Sequence, residues 1–274
     1  MYVARPGWGA CGLEGEMGMD NALLVGLSRQ VALQRELDVI ANNLANINTN
    51  GFKGQSVQFE EYLSSPARVD TFQLADRRVS FVQDRATIAD FSQGPLEQTG
   101  NALDVGISGD GFLVVDTPAG ERYTRNGALS INATGELVTS EGYRVRGDQG
   151  PIQFAQNDSN IVIARDGSIS ALDGSSTNQV ADRGKLRLVS FADPQKLSKE
   201  GMSLYSAPGQ QPQATTPSTT VVQGMVEKSN VQPVFEMSRM IEVTRAYTSL
   251  ANLMIRTDEL RHTAINKLGD TSAS

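Results

Sequence analysis

His262 is the only histidine in this 274-residue chain and Cys11 the only cysteine. These are the side chains most often used for proton transfer and nucleophilic attack near neutral pH, and each is present once. A nucleophilic triad or a histidine-rich metal site needs several such groups brought together. His262 falls near the end of a long helical pattern, where it reads as a surface residue. The run Gly106-Ile107-Ser108-Gly109-Asp110-Gly111 is glycine-rich. Its spacing is not that of a dinucleotide-binding turn, and a strand pattern follows it where a phosphate cradle needs a helix N-terminus. It reads as tight turns. Asp158, Asp166, Asp173 and Asp182 are spread over turn-like positions without the spacing of a calcium loop. Asn132-Ala133-Thr134 and Asn157-Asp158-Ser159 match the glycosylation sequon, which carries weight only in a eukaryotic secretory setting. No catalytic, cofactor-binding or metal-binding residue is assigned, and the chain reads as a non-enzyme.

The elements that would have to position such residues are organised for something else. Leu33, Leu37, Ile40, Leu44 and Ile47 recur at alternating spacings of four and three, a heptad seam on an N-terminal helix over about residues 20–47. Leu23, Leu24, Leu27 and Val31 extend its apolar face upstream. Met240, Val243, Tyr247, Leu250 and Met254 repeat the alternation on a C-terminal helix over about residues 234–268. At ~1.5 Å per residue that helix reaches about 50 Å, long for a compact domain. Each stripe needs a partner, either the other end of the same chain or a neighbouring copy. The run Ala41-Asn42-Asn43-Leu44-Ala45-Asn46 places poor helix formers together. It reads either as a solvated helix end or as a row of amides that bond to neighbouring chains.

Between the helices the signals are β. Gly111-Phe112-Leu113-Val114-Val115 is a short buried strand, followed by a turn at Asp116 to Gly120. Turn signals recur at Asn126-Gly127, Thr134-Gly135, Glu141-Gly142, Asp166-Gly167 and Asp173-Gly174. Between them lie apolar segments at 129–131, 137–139, 152–154 and 161–163, and an alternating stretch at 185–191. Short strands at these intervals predict an all-β sandwich or barrel-like domain. The fold class is therefore α+β in several parts, with N- and C-terminal helices forming a coiled-coil-like bundle and a central all-β domain.

Composition narrows the partners. Apolar residues make up 39% of the chain and aromatics 6%, and the formal net charge is −7. Phosphate backbones are bound by clustered Lys and Arg, so no nucleic-acid partner is expected. No run approaches about 18 consecutive apolar residues, so no direct membrane insertion is expected. Residues 1–18 hold both Cys11 and the only tryptophan, Trp8, and lack the basic and apolar regions of a secretory signal. The expectation is that they precede a biological start at Met17 or Met19, which leaves a mature chain without cysteine.

Three blocks carry a family resemblance. The first is Met19-Asp20-Asn21-Ala22-Leu23-Leu24-Val25-Gly26-Leu27-Ser28, continued by Leu37 to Lys53 with its Asn-rich centre. The second is Gly109-Asp110-Gly111-Phe112-Leu113-Val114-Val115 with Tyr123-Thr124-Arg125-Asn126-Gly127-Ala128-Leu129 and Gly135-Glu136-Leu137-Val138-Thr139. The third is Gly224-Met225-Val226-Glu227-Lys228-Ser229-Asn230-Val231 with Glu236 to Tyr247. Together they resemble the bacterial flagellar rod and hook protein family over essentially residues 19–268, and the length favours a rod member over a hook protein.

The resemblance implies a structural subunit of the flagellar basal-body rod, of the proximal type, in the periplasm. It implies polymerisation through the terminal helices, torque transmission from motor to hook, and passage through the flagellar type III export apparatus without a cleavable signal. The implied partners are copies of itself and other rod proteins, with no cofactor. Assembly contacts are expected at Leu33, Leu37, Ile40, Asn43, Leu44, Ile47, Met240, Val243, Tyr247, Leu250 and Met254. The matching division is residues 1–18 as an extension, 19–52 as an N-terminal assembly helix, 53–95 as a connector and 96–206 as the β domain. A linker at 207–222, a C-terminal assembly helix at 223–268 and a tail at 269–274 complete it. The alternatives are a distal-rod protein of the same family and, from a different class, a polymerising surface adhesin or phage-tail-like fibre protein.

Overall fold

The computed structural model describes residues 14–63, 80–174, 179–201, 203–216 and 218–271. It is α+β, with a helix near each terminus and a mostly β middle. The chain divides into two compact units. A helical unit comprises the described parts of Met1–Ala41, Ser56–Thr87 and Met237–Ser274, and a β unit comprises Asn42–Gln55 with Ile88–Glu236. Of the expected N-terminal extension and C-terminal tail, residues 1–13 and 272–274 lie outside the described residues.

Helix α1 spans Glu14–Ala45. It stops where asparagines take over: the Asn46 amide N–H is shared between the carbonyls of Asn42 (3.2 Å) and Asn43 (3.1 Å), a tightening usual in a final helical turn. Helix α2 spans Pro233–Thr271. Proline suits the first helical position, where its missing N–H costs nothing, and Glu236 in the first turn complements the positive end of the helix dipole. Within the helical unit the two helices run antiparallel. Arg239 Nη2 meets Glu36 Oε1 at 2.8 Å, and Gln30 Nε2 donates to the Tyr247 hydroxyl at 3.0 Å. Met254 Sδ lies 3.5 Å from the point a Cβ on Gly26 would occupy.

Part of the stretch expected as a semi-extended connector is a paired ribbon. Gln55–Leu63 and Ser80–Ala89 form a two-stranded sheet. A ribbon of two strands has no covered sheet face to impose a strict apolar period, which is why no alternation marks it. Val57 and Ala89 are buried while Phe59 is not.

The β unit is built around Phe112–Thr117. This strand pairs antiparallel with Gly120–Thr124 on one side, and with Leu188–Ser190 and Arg144–Gly147 on the other. Leu113 and Val115 enter an aliphatic core with Val105, Ile107, Leu137 and Val145. Phe112 and Val114 enter a second cluster with Tyr123, Phe191 and Tyr205. Both faces are covered, so four consecutive apolar residues are buried instead of alternating ones. The stretch 185–191, expected as one alternating strand, is divided: Val180–Lys185 and Leu188–Ser190 are separate strands, and buried Leu186 joins them.

The region expected as a linker also carries ladders. Gln213–Ala214 pairs with Leu188–Ser190, and Thr220–Gln223 pairs with Val105–Ser108. Met225–Glu227, expected as part of the second helix, pairs with Leu96–Gln98. In these late strands Val221 and Val226 are each 1% exposed. So few apolar side chains do the packing that the segment reads as polar linker.

Candidate functional site

Inside the β unit, the first residues past α1 and the last before α2 meet in a charged clasp. Gly51 makes the turn possible with φ of +69°. A Cβ there would fall 2.4 Å from the Asn126 nitrogen, so no other residue fits. The turn drives Phe52 and Lys53 inward, both 0% exposed. Lys53 Nζ donates to Glu227 Oε1 at 2.5 Å and to the Ser92 carbonyl at 2.6 Å. Glu227, also 0% exposed, accepts the Gly94 N–H at 2.8 Å. Its other oxygen faces Arg125 Nη1 at 3.4 Å. Gly94 is required because a side chain would meet the Lys228 carbonyl at 2.1 Å.

Two cations share one carboxylate here, out of water. Burial pushes the Lys53 ammonium below the usual lysine range, and Glu227 beside it pulls the other way. The Arg125 guanidinium also lies 5.0 Å over the Phe112 ring. That ring packs edge-on against Phe91, Phe191 and Tyr205. Burial raises the Tyr205 phenol well above its ordinary range. The clasp and the aromatic cluster are therefore one packed body.

Asparagine amides extend the clasp. Asn43 is 1% exposed. Its Oδ1 accepts the Gln55 N–H at 2.9 Å, and its Nδ2 donates to the Gln55 carbonyl at 2.8 Å and to Glu236 Oε1 at 3.2 Å. The side chain thus stands in for a strand partner, satisfying both backbone groups of one residue. Asn230 does similar work, accepting from the Gly54 N–H and donating to the Asp90 carbonyl, both at 2.8 Å. Asn46 Nδ2 donates to the Asn42 carbonyl at 2.8 Å. The reading of these asparagines as a solvated helix end fails for Asn43 and Asn46, which are buried.

In the helical unit, Ile40 and Val243 are buried, at 2% and 6% exposed. Leu33, Leu37, Met240, Tyr247, Leu250 and Met254 are half-buried. In the β unit Leu44 and Ile47 are half-buried and Asn43 buried. The seam positions on α2 that meet α1 are Tyr247 and Met254. The sequence reading placed Leu24, Leu27 and Val31 on the apolar face of α1 but passed over a further apolar set on α2. Leu24, Leu27 and Val31 on α1, and Met237, Ile241, Leu253, Ile255 and Leu260 on α2, are each more than half exposed. Met237, Ile241 and Ile255 fall on the side of α2 away from Val243 and Tyr247, with Thr244 and Thr248 between them. A groove of about 430 Å³ lined by Leu27, Val31 and Tyr247 also opens on this unit.

The residues singled out for chemistry lie apart. His262 is exposed on α2 with Asp258 3.8 Å away. Of the segment 106–111, residues 106–108 belong to the strand Val105–Ser108 and only 109–111 link it to Phe112–Thr117, and Asp158 is paired with Arg183. Among the described residues, no cluster of three or more His, Cys, Asp or Glu is placed to hold a metal ion, and no helix is long and apolar enough to cross a membrane. Lys53, Arg125 and Glu227 carried no sequence signal of their own, since a lone charge in a loop or a short strand looks like a solvated one.

Models of three flagellar families match the chain. The flagella basal body rod protein model covers residues 23–53, the flagellar hook protein FlgE/F/G D1 domain covers 106–171, and the flagellar basal body rod FlgEFG protein C-terminal model covers 222–267. The flagellar basal-body rod protein FlgF of Caulobacter vibrioides is 41% identical over 254 residues, covering 92% of this chain and 99% of that protein. FlgF of Mesorhizobium japonicum is 37% identical, covering 93% and 100%. FlgG of Bacillus subtilis is 32% identical, covering 90% and 99%.

Proposed function

The chain belongs to the flagellar basal-body rod protein family and is most like its FlgF members, and from that premise we propose that it is a structural subunit of the proximal rod that polymerises through α1 and α2. The observation that carries this reading is the exposed apolar set on both helices, from Leu24, Leu27 and Val31 to Met237, Ile241 and Ile255. Fully burying a side chain of this size is worth roughly 1.5–3 kcal/mol, so an isolated subunit leaves much association energy unspent. A contact that repeats head to tail without closing builds a helical filament.

In the assembled rod the half-buried seam, Leu33, Leu37, Leu44, Ile47, Met240, Tyr247, Leu250 and Met254, packs as a coiled-coil-like bundle with neighbouring helices. Ile40, Asn43 and Val243 hold that bundle's shape from inside the chain. The clasp of Lys53, Glu227 and Arg125 fixes the points at which the chain enters and leaves the β unit. Load is carried through packed contacts and no bond is made or broken. The partners are copies of this chain and other rod proteins, in the periplasmic basal body, reached through the flagellar export apparatus.

The test is complementation of a strain lacking the gene with a Met237→Asp, Ile241→Asp double variant. The chain is expected to accumulate and fold while basal bodies lack it and cells do not swim. Normal swimming and normal incorporation would sink the helix-driven assembly. The matches to FlgG favour one second reading, a distal-rod position, which labelling of the chain within isolated basal bodies distinguishes.

A further inference from the structure

Lys199 lies in the strand Ser198–Glu200 and is paired across the ladder with Tyr205. Its ammonium sits 3.8 Å from the centroid of the Phe52 ring. The Nζ is shut off from water and makes no hydrogen bond among the described residues. An ammonium carries three donors, and a buried charge without an anion is costly. The face of an aromatic ring returns only part of that cost. The contrast with Lys53 in the same unit is direct. Lys53 has a carboxylate at hydrogen-bond distance, whereas burial alone draws the pKa of the Lys199 ammonium down to about 8.

Beside Lys199 is a cavity of about 260 Å³, lined also by Asn42, Asn46, Phe52, Gln55 and Gly201. Its walls therefore combine a cation, carboxamides and one aromatic ring. That set suits an anion on a short carbon stem, whose oxygens the ammonium and amides take while the buried Phe52 ring backs the ammonium. The chain supplies such groups in excess, with 31 Asp and Glu against 24 Lys and Arg.

We infer that this cavity is a carboxylate-binding site, filled in the assembled rod by an acidic side chain of a second copy of this chain. The inference rests on the proposed rod function. It adds a polar, directional contact from the β unit to the apolar contacts of the helices. A free inorganic anion supplies charge without the stem.

The test is carbodiimide cross-linking of isolated basal bodies, which joins an amine to a neighbouring carboxylate with loss of water, followed by peptide mass spectrometry. Lys199 is expected in an amide link to an Asp or Glu peptide of this same chain. That link is lost in dilute purified protein and in a Lys199→Met variant whose other inter-subunit links persist. A Lys199→Arg variant, which keeps the charge, is expected to incorporate like the parent. Absence of the Lys199 link from basal bodies in which other subunit pairs are cross-linked overturns the site and leaves the rod function standing. A link to a different rod protein overturns the second-copy assignment. Loss of the Lys199 link from intact basal bodies on adding phosphate, while other inter-subunit links persist, overturns it in favour of a free anion. Absence of the chain from basal bodies overturns the function instead.

Discussion

In the β unit, Val105, Leu113, Leu137 and Val145 are wholly buried, whereas in the helical unit Leu27, Val31, Ile241 and Leu253 are each more than half exposed. The first arrangement is that of a self-sufficient body. Its strands close over two apolar clusters, and two of its buried cations, Lys53 and Arg125, share the carboxylate of Glu227. The second is that of a surface waiting for company. Two long helices meet along one line of contacts, Glu36 with Arg239 and Gln30 with Tyr247, and leave Leu27, Val31, Ile241 and Leu253 largely to water. The difference teaches that stability and assembly are assigned to separate parts of one chain. Mutations can therefore be sorted by which of the two they affect.

The largest expected effect is on the β unit. Glu227→Ala leaves two buried cations without their anion, and loss of one partner of a buried pair costs about 3–5 kcal/mol. Urea unfolding followed by the β-sheet signal measures it, and a loss below about 1 kcal/mol would mean the clasp is ornamental. Next, Asn43→Ala strands both backbone groups of Gln55, an expected loss of about 1–3 kcal/mol in the same assay. Smaller still is a pH effect. Lys199 titrates at about 8 when folded and at 10.5 when free. Between those values the unfolded chain holds the extra proton, so stability rises with pH. Lys53, lowered in the same direction, adds to the rise, while Tyr123 and Tyr205, both raised, oppose it as pH nears the free tyrosine value. The urea midpoint should climb from about pH 7.5 to 9.5, and less so in Lys199→Met. A midpoint that falls over this range would contradict the buried amine. The smallest expected change in stability, within about 0.5 kcal/mol, is for Ile241→Asp with Ile255→Asp, because both positions face solvent. Yet the same variant should be missing from basal bodies. A large loss of stability would show that these side chains are core, and the contrast between the units would dissolve.

Much of this was legible in the sequence, for identifiable reasons. The helices announce themselves because their periods are local, and Phe112 to Val115 does so because both faces of its sheet are covered. The segments Gln55–Leu63 and Thr220–Gln223 were harder. The first pairs only with the next strand in a two-stranded ribbon that imposes no apolar period, and the second owes its strand character to a partner far back along the chain and carries few apolar residues to advertise it. The clasp was invisible for the same reason. Lys53, Arg125 and Glu227 are ordinary charged residues until folding brings them together. The exposed set on α2 was passed over because the seam at Met240, Val243 and Tyr247 is more regular, and regularity marks the side that packs first.

The pairing of Thr220–Gln223 with Val105–Ser108, and of Met225–Glu227 with Leu96–Gln98, bears on the timing of folding. A ribosome releases the N-terminal portion first. The two early strands must therefore wait with open edges until nearly everything else has been made, and Glu227 itself arrives after both of its cations. A nascent chain of this design stays slack and threadable for most of its synthesis, and a late stitch locks it.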